Sequence, residues 1–287
     1  MPPKDSSSRR LRKILEEPGP VVCPCAYDCV SARVVELAGF SAVMHGGFNT
    51  AASLLGLADV GTITQTEMLQ AARHMAQAVD IPVICDVDDG FGKTSNVART
   101  TTEAIRAGVA GMYMEDQMLP KRCPSLGGGG VVETEEMIAK LDAARKVTAE
   151  LDPDFVVIAR THASLAIDFE EGLKRGEAYA RAGADLIWVD LGYDERVLGE
   201  LKAIVERIAP HAAVVANMTE NVGRPQLTTP ELYDMGFKMV TYPITLILTA
   251  TAAMTRVMRE LAEKGTTRDL AKTMMPVKEF KKIVREA

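Results

Sequence analysis

The sequence lacks the features that would place it at a membrane or on nucleic acid. Its first 12 residues are polar and basic without an apolar core, so we expect no secretory signal. Its one long apolar stretch, residues 244–258, is interrupted by four threonines and one arginine, so we expect no membrane span. The net charge of -6 argues against binding to nucleic acid or to an anionic lipid surface, since both attract basic proteins. These absences predict a cytoplasmic protein.

The cysteines form no recognisable framework. There are five of them, and an odd number in such a chain argues against a set of disulfides. Cys23, Cys25 and Cys29 fit no zinc spacing, and the first two would share one face of a strand as small apolar residues. With 287 residues and 47% hydrophobic content, the chain is long enough for one large core. We therefore expect residues 1–287 to form a single domain.

What the sequence does contain is a regular alternation of short β-rich runs with longer helical patterns. The candidate strands are 21–25, 42–45, 83–87, 111–115, 156–160, 186–190, 214–217 and 239–242. Several are apolar on both faces, as is typical of parallel strands that helices cover. Eight β/α units in succession predict a closed (β/α)8 barrel of the TIM type, and a doubly wound open sheet is the alternative.

Three segments go beyond the barrel pattern. Residues 6–16 predict a helix that covers the bottom of the barrel. The long loop between Glu115 and Thr134 contains four consecutive glycines, 127–130, and is typical of a mobile lid. Residues 244–287 predict a long apolar helix followed by a charged one, which we expect to pack on a partner subunit.

Acidic side chains follow the third and fourth strands, at the barrel end where catalytic groups lie. Asp86 and Asp88 are two apart and should share a strand face, which Glu115 can join from the next strand. Three carboxylates without cationic partners would resist ionisation, and a hard divalent cation such as Mg²⁺ resolves that conflict. A solvated acidic rim without metal is the alternative.

Three further features point to the same barrel end. Arg160 ends the fifth strand and can hold a carboxylate by a bidentate fork, unless it forms a structural ion pair. Gly46 and Gly47 allow backbone N–H groups to approach an anionic oxygen closely. Cys123 lies in the long loop beside Lys121 and Arg122, whose charges would lower the pKa of its thiol. An inert loop cysteine is the alternative.

Several of these motifs together resemble the isocitrate lyase/phosphoenolpyruvate mutase superfamily, in particular its methylisocitrate lyase and carboxyphosphonoenolpyruvate mutase branches. The similarity rests on residues 86–92, 115–117, 121–123 and 159–161, and it extends to 27–32, 56–59, 216–218 and 242–243. The resemblance implies a (β/α)8 barrel, a gating loop, dependence on Mg²⁺ with Mn²⁺ as a substitute, and a homotetramer with C-terminal helices exchanged between subunits.

The resemblance also implies roles for individual residues. The metal would be held by Asp86 and Asp88 with support from Asp59 and Glu115. The substrate would contact Gly46, Gly47, Phe48, Arg160 and Asn217. The catalytic residues would be Cys123, Glu115 and Lys121, with Cys123 as the general acid/base that protonates the enolate-like fragment.

The sequence departs from the family pattern at five positions. Pro124 and Ser125 replace the usual Gly-His of the lyase gating loop, and serine there is closer to the mutase pattern. His162 replaces an aspartate, and Asp190 replaces a glutamate. Leu248 lies where the methylisocitrate branch has an arginine for its substrate. A buried carboxylate without its cation costs about 3–5 kcal/mol, which argues against a tricarboxylate substrate.

We therefore expect a Mg²⁺-dependent carbon–carbon lyase for a small 2-hydroxy- or 2-oxo-carboxylate, similar to methylisocitrate, an alkylmalate or oxaloacetate. Its metal site would stabilise an enolate-type intermediate. Phosphonate chemistry on the same metal site, either P–C mutation or P–C hydrolysis, is the alternative. A third possibility is a non-catalytic barrel that binds a carboxylate, but such a protein would not need the complete set of metal-binding and proton-transfer residues.

Overall fold

The computed structural model describes residues 5–123, 126–192, 195–220 and 225–284. Eight parallel strands form a closed barrel in which each strand pairs with the next and the last pairs with the first. The strands are β1 (Val21–Ala26), β2 (Val43–His45), β3 (Val83–Asp86), β4 (Gly111–Glu115), β5 (Val156–Thr161), β6 (Leu186–Val189), β7 (Ala213–Asn217) and β8 (Met239–Tyr242). The predicted (β/α)8 barrel is confirmed, and the open-sheet alternative is wrong.

Helices surround this barrel. They are α1 (Ser7–Glu16), α2 (Cys29–Leu37), α3 (Gly47–Thr50), α4 (Gln65–Ala78), α5 (Thr94–Ala107), α6 (Thr134–Leu151), α7 (Ala163–Ala166), α8 (Phe169–Arg181), α9 (Val197–Ile208), α10 (Thr229–Met235), α11 (Thr245–Lys264) and α12 (Val277–Ile283). Local sequence sets several of the ends. Thr64 caps α4 in a reciprocal box with Glu67. Gly108 and Gly236 end α5 and α10 in the left-handed conformation, which glycine adopts without steric cost.

The core has two layers, one inside the barrel and one between the strands and the helices. Leu11 of α1 is fully buried against the interior layer, among the first residues of several strands. Helix α1 therefore covers the bottom of the barrel, as its sequence predicted. Cys23 and Cys25 are buried in the same interior layer, which confirms their interpretation as small apolar residues. Burial raises the pKa of both thiols, which disfavours the reactive thiolate form.

Helix α11 presents much of its apolar surface to solvent in a single copy of the chain. Of its residues, Ile247 is buried, whereas Leu248, Met254, Met258 and Leu261 are exposed. An apolar helix face of this kind is typical of a contact between proteins. The packing of residues 244–287 on a partner subunit remains a prediction. Within the described residues, no helix is long and apolar enough to cross a membrane.

Candidate active site

A cavity lies at the C-terminal ends of the strands, with about 700 Å³ of empty space including its open mouth. The predicted site residues that line it are Gly46, Gly47, Phe48, Asp59, Asp86, Glu115, Lys121, Cys123, Arg160 and Asn217. Asp88 does not line the cavity, but it accepts a hydrogen bond from Lys121, which does. The fold therefore brings these residues together around a single cavity from five strand ends, from the segment between β2 and α4, and from the long loop.

Asp86 is held in place by three hydrogen bonds. Its Oδ2 accepts from the backbone N–H of Gly47 and from the hydroxyl of Tyr113, both at 2.9 Å. Its Oδ1 accepts from the backbone N–H of Asp88, also at 2.9 Å. A Cβ atom at position 47 would lie 2.7 Å from Asp86 Oδ2, so this close approach requires glycine. The N–H that we expected to face a substrate oxygen thus donates to Asp86 in this structure.

Asp88 reaches the site for a different reason than its sequence spacing indicated. Strand β3 ends at Asp86, so the two aspartates do not share a strand face, and that argument was wrong. Asp88 instead has a φ of 47°, a left-handed conformation that is costly for most residues but more common for aspartate. This turn directs its carboxylate to Lys121.

The acidic cluster contains a buried cation that the sequence argument left out. The Nζ atom of Lys121 hydrogen-bonds Asp88 Oδ1, lies 3.1 Å from Asp59 Oδ1 and is 4.0 Å from Glu115 Oε1. The expectation of three carboxylates without cationic partners is therefore wrong. Burial acts to lower the pKa of Lys121, but Asp88 and the other carboxylates outweigh it and raise that pKa. Burial also raises the pKa of Asp59 and Asp88 despite their contact with Lys121.

The charge and chemistry of this region fit a divalent cation. The ionisable groups are the carboxylates of Asp59, Asp86, Asp88, Glu115 and Asp190 and the cations Lys121, Arg160 and His162. With all eight groups ionised, five negative and three positive charges leave a net charge of -2, which is the charge that one Mg²⁺ cancels. Carboxylates are the hard oxygen ligands that Mg²⁺ prefers, with several waters retained. Within the described ranges, no three of these side chains are already placed as a metal cage.

Arg160 both lines the cavity and forms ion pairs. Its Nη1 lies 3.2 Å from Glu115 Oε2, and its Nη2 lies 2.7 Å from Asp190 Oδ2. Its guanidinium carbon is 4.3 Å from the centre of the Trp188 ring, a cation–π distance. The sequence left open whether Arg160 faces the cavity to bind a carboxylate or forms a structural ion pair. In the structure Arg160 does both: it lines the cavity and is paired with Glu115 and Asp190.

The two departures at positions 162 and 190 are in contact with each other. His162 Nδ1 lies 2.9 Å from Asp190 Oδ2, and His162 Nε2 lies 2.8 Å from Glu115 Oε2. Burial acts to lower the pKa of His162, but Asp190 and Glu115 outweigh it and raise that pKa to about 9. His162 is therefore protonated near neutrality and donates from both ring nitrogens.

The long loop is tied to the site through its backbone. Cys123 lines the cavity, and its N–H donates to the carbonyl of Asp59 at 3.1 Å. The N–H of Arg122 donates at 3.0 Å to the side-chain carbonyl of Gln117, whose amide group donates at 3.1 Å to Glu115. The loop is thus connected to the acidic cluster at Cys123 itself and at Arg122, the residue before it. The departures Pro124 and Ser125 lie outside the described residues.

Sequence reasoning missed Tyr113, Gln117 and Trp188, which all line the cavity. Tyr113 and Trp188 each precede a named carboxylate by two positions at the end of a strand, so strand periodicity could have found them. Leu248 is exposed on α11 and does not line the cavity. The contacts of this structure therefore do not support the argument that Leu248 excludes a tricarboxylate.

Known proteins resemble this chain over nearly its whole length. The family profile described as phosphoenolpyruvate phosphomutase matches residues 11–262. The 2,3-dimethylmalate lyase of Eubacterium barkeri is 38% identical over 275 residues, which cover 96% of this chain and 93% of that protein. The chloroplastic carboxyvinyl-carboxyphosphonate phosphorylmutase of Arabidopsis thaliana is 38% identical over 279 residues, which cover 96% and 80% respectively.

Solved structures agree with this result. Oxaloacetate acetylhydrolase in complex with 3,3-difluorooxalacetate has a TM-score of 0.90 at 32% identity, covering 97% of this chain and 93% of that one. A 2,3-dimethylmalate lyase of the PEP mutase/isocitrate lyase superfamily has a TM-score of 0.89 at 33% identity, covering 98% and 92%. Phosphonopyruvate hydrolase with oxalate and Mg²⁺ has a TM-score of 0.86 at 28% identity, covering 97% and 95%.

The extent of these matches, together with the closed barrel and its acidic cavity, shows that the chain belongs to the phosphoenolpyruvate phosphomutase family, within the PEP mutase/isocitrate lyase superfamily.

Proposed function

We propose that this protein is a Mg²⁺-dependent carbon–carbon lyase that acts on a small 2-hydroxy- or 2-oxo-carboxylate. The observation that carries the proposal is the joint exposure of Arg160, the acidic cluster and Cys123 to one cavity. A carboxylate anchor, a metal-binding group and a proton donor are the three elements that such a cleavage needs. The relatives named 2,3-dimethylmalate lyase and oxaloacetate acetylhydrolase support a substrate of this class.

Asp86 is the carboxylate that we assign to direct metal binding, with Asp59 and Asp88 nearby to bind through water. Asp86 and Asp59 line the cavity, whereas Asp88 adjoins it through Lys121. When bound, Mg²⁺ supplies positive charge that stabilises an enolate-type oxygen of the substrate. Lys121 remains in contact with Asp59 and Asp88 and offsets their mutual repulsion.

Arg160 is the group that we assign to the substrate carboxylate. Its guanidinium borders the cavity between Glu115 and Asp190, and its N–H groups can form a charge-assisted bond with an incoming anion. Glu115 accepts hydrogen bonds from His162 and Gln117 and is paired with Arg160. Its pKa is strongly lowered because His162, Lys121 and Arg160 outweigh the opposing effect of burial. A carboxylate this acidic is a poor base, so we assign Glu115 to positioning.

Cys123 is the group that we assign to proton transfer. The carbon that becomes the carbonyl carries a hydroxyl group, which in a 2-oxo substrate comes from addition of water to the keto group. As the carbon–carbon bond breaks, this hydroxyl loses its proton to solvent and becomes the carbonyl, and the electron pair of the broken bond moves onto the fragment that bears the anchored carboxylate. The Cys123 thiol then donates its proton to the carbon of that fragment, and the thiolate forms beside Arg122. A positioned acid of this kind contributes about 10²–10⁴ in rate.

The proposal is tested by incubating the protein and Mg²⁺ with oxaloacetate, 2,3-dimethylmalate, methylisocitrate and phosphonopyruvate, and following the products by NMR. We expect cleavage of at least one of the first three compounds into two carbonyl or carboxylate fragments. Protein that cleaves none of them, although it is folded and loaded with Mg²⁺, would contradict the proposal.

Phosphonate chemistry is the second candidate, because a phosphorylmutase is as similar in sequence as the lyase relative. The same panel separates the two candidates. Turnover of phosphonopyruvate alone, followed by ³¹P NMR, would favour P–C chemistry on the same acidic site.

A further inference from the structure

Four charged side chains form a closed ring at the ends of three neighbouring strands. Glu115 ends β4 beside Arg160 of β5, and Arg160 is in turn opposite Trp188 of β6. His162 and Asp190 follow the ends of β5 and β6. Around the ring the charges alternate, so each carboxylate lies between two cations and each cation between two carboxylates.

The contacts of this ring all involve two carboxylate oxygen atoms, one from Asp190 and one from Glu115. Asp190 Oδ2 accepts from His162 Nδ1 at 2.9 Å, from Arg160 Nε at 2.8 Å and from Arg160 Nη2 at 2.7 Å. Glu115 Oε2 lies 2.8 Å from His162 Nε2 and 3.2 Å from Arg160 Nη1. Arg160 and His162 thus contact the same two atoms. The position of the guanidinium is therefore determined by carboxylates that His162 also holds.

Trp188 extends the arrangement. Trp188 donates its indole N–H to Asp190 Oδ1 at 2.8 Å, and the guanidinium carbon of Arg160 lies over its ring, 4.3 Å from the ring centre. Asp190 therefore accepts hydrogen bonds from both partners of this contact, from Arg160 through Oδ2 and from the Trp188 indole through Oδ1. Both Arg160 and Trp188 line the cavity.

His162 differs from the other members because it does not line this cavity. Its side chain is 4% exposed and contacts Glu115 and Asp190, which both line the cavity. It therefore does not contact a molecule bound in this cavity, but its removal would leave two carboxylates competing for one guanidinium. Charge-assisted hydrogen bonds of this kind are about twice as strong as hydrogen bonds between neutral groups.

We propose that His162, acting through Asp190, is the positioning residue that holds Arg160 and Trp188 in the orientation that binds the substrate carboxylate. The inference rests on the proposed function only in assigning Arg160 to that carboxylate. It also accounts for the two departures from the family pattern at positions 162 and 190, since the residues present there contact each other.

The test uses three variants and oxalate, a small dicarboxylate, as the probe in the presence of Mg²⁺. His162→Leu removes both hydrogen bonds. His162→Asn places an amide donor near the position of Nδ1, toward Asp190, and His162→Gln places one near Nε2, toward Glu115. Trp188 is the only tryptophan in the chain, so its fluorescence reports on the ring itself. His211→Leu, at an exposed histidine, is the control.

We expect His162→Leu to weaken oxalate binding by at least about 10-fold, the equivalent of one lost charge-assisted hydrogen bond. Acrylamide should also quench Trp188 more strongly in that variant. His162→Asn should restore most of the oxalate affinity and protect Trp188 from quenching, because its amide can still donate to Asp190. His162→Gln should restore little, because its amide donates toward Glu115 instead. A folded His162→Leu protein with unchanged affinity and quenching would overturn the proposal, as would equal losses in all three variants.

Two further outcomes are distinguishable. If the wild-type protein does not bind oxalate, the assignment of Arg160 to a carboxylate fails, and the quenching of Trp188 alone decides whether His162 holds the ring. If His162→Leu does not fold, Asp190→Asn tests the same connection from its other end. That variant should weaken oxalate binding and expose Trp188, and its failure to do either would refute the proposal.

Discussion

The buried imidazolium of His162 makes the stability of this protein depend on pH in a calculable way. The pKa of His162 is raised from 6.5 to about 9 because Asp190 and Glu115 outweigh the effect of burial. A group whose pKa is higher in the folded state stabilises that state when it is protonated. The contribution is fully present below pH 6.5 and is lost as the pH rises through 9.

The size of this contribution follows from the two pKa values. A difference of this magnitude corresponds to about 3 kcal/mol of unfolding free energy. For a chain of 287 residues, the same free energy changes the melting temperature by about 5 °C. The matched variant is His162→Gln, which cannot become charged. The difference in Tm between wild type and variant should therefore shrink by about 5 °C between pH 6 and pH 10.

The assay is a series of thermal melts at fixed protein and Mg²⁺ concentration, since ligands and subunit contacts also change Tm. His74→Gln, at an exposed histidine, serves as the control and should leave the pH profile unchanged. A difference between wild type and His162→Gln that stays constant from pH 6 to pH 10 would refute the reasoning. It would mean that His162 does not gain its proton on folding.

Three other predictions concern the loop and the C-terminal helices. Cys123→Ser should lower turnover by about 10²–10⁴ without weakening Mg²⁺ binding. Cys29→Ser, at the other partly exposed cysteine, is the control and should leave turnover unchanged. Near-native turnover of Cys123→Ser would exclude Cys123 from proton transfer. Gly128→Pro should change KM and kcat together, because Gly128 has a φ of 65° and donates its N–H to the carbonyl of Cys123, and proline allows neither. Unchanged kinetics would show that the conformation of the loop at Gly128 does not affect catalysis. Sedimentation should show a tetramer that Met258→Asp weakens, because α11 exposes an apolar face; a wild-type monomer at micromolar concentration would contradict this.

The architecture could be predicted from local pattern. Each strand is a short apolar run, and each falls within one or two residues of its predicted bounds, because a parallel barrel strand is buried on both faces. The position of the site followed from the same pattern, since all C-terminal strand ends meet at one end of a barrel. Glu115 and Arg160, for example, are both at strand ends and lie in register.

The pairing of charges at the site could not be predicted in this way. Lys121 belongs to a loop, and its contact with Asp88 depends on how that loop returns to the barrel. The approach of His162 to Asp190 joins residues that are 28 positions apart and follow different strands. Strand periodicity fixes which face a residue occupies only inside a strand, which is why it failed for Asp88, two residues beyond the end of β3.

The central claim is that the acidic cluster at the barrel mouth binds the metal on which carbon–carbon cleavage depends. The most direct measurement is the rate of cleavage of the best panel substrate, after EDTA treatment, as Mg²⁺ is added back. Wild type and the control Asp234→Ala, at an exposed aspartate, should regain full turnover. Asp88→Ala should remain inactive or need far more Mg²⁺, since it removes one carboxylate of the cluster and one of the three carboxylates that contact Lys121. Full turnover of Asp88→Ala at the same Mg²⁺ concentration as wild type would contradict the account.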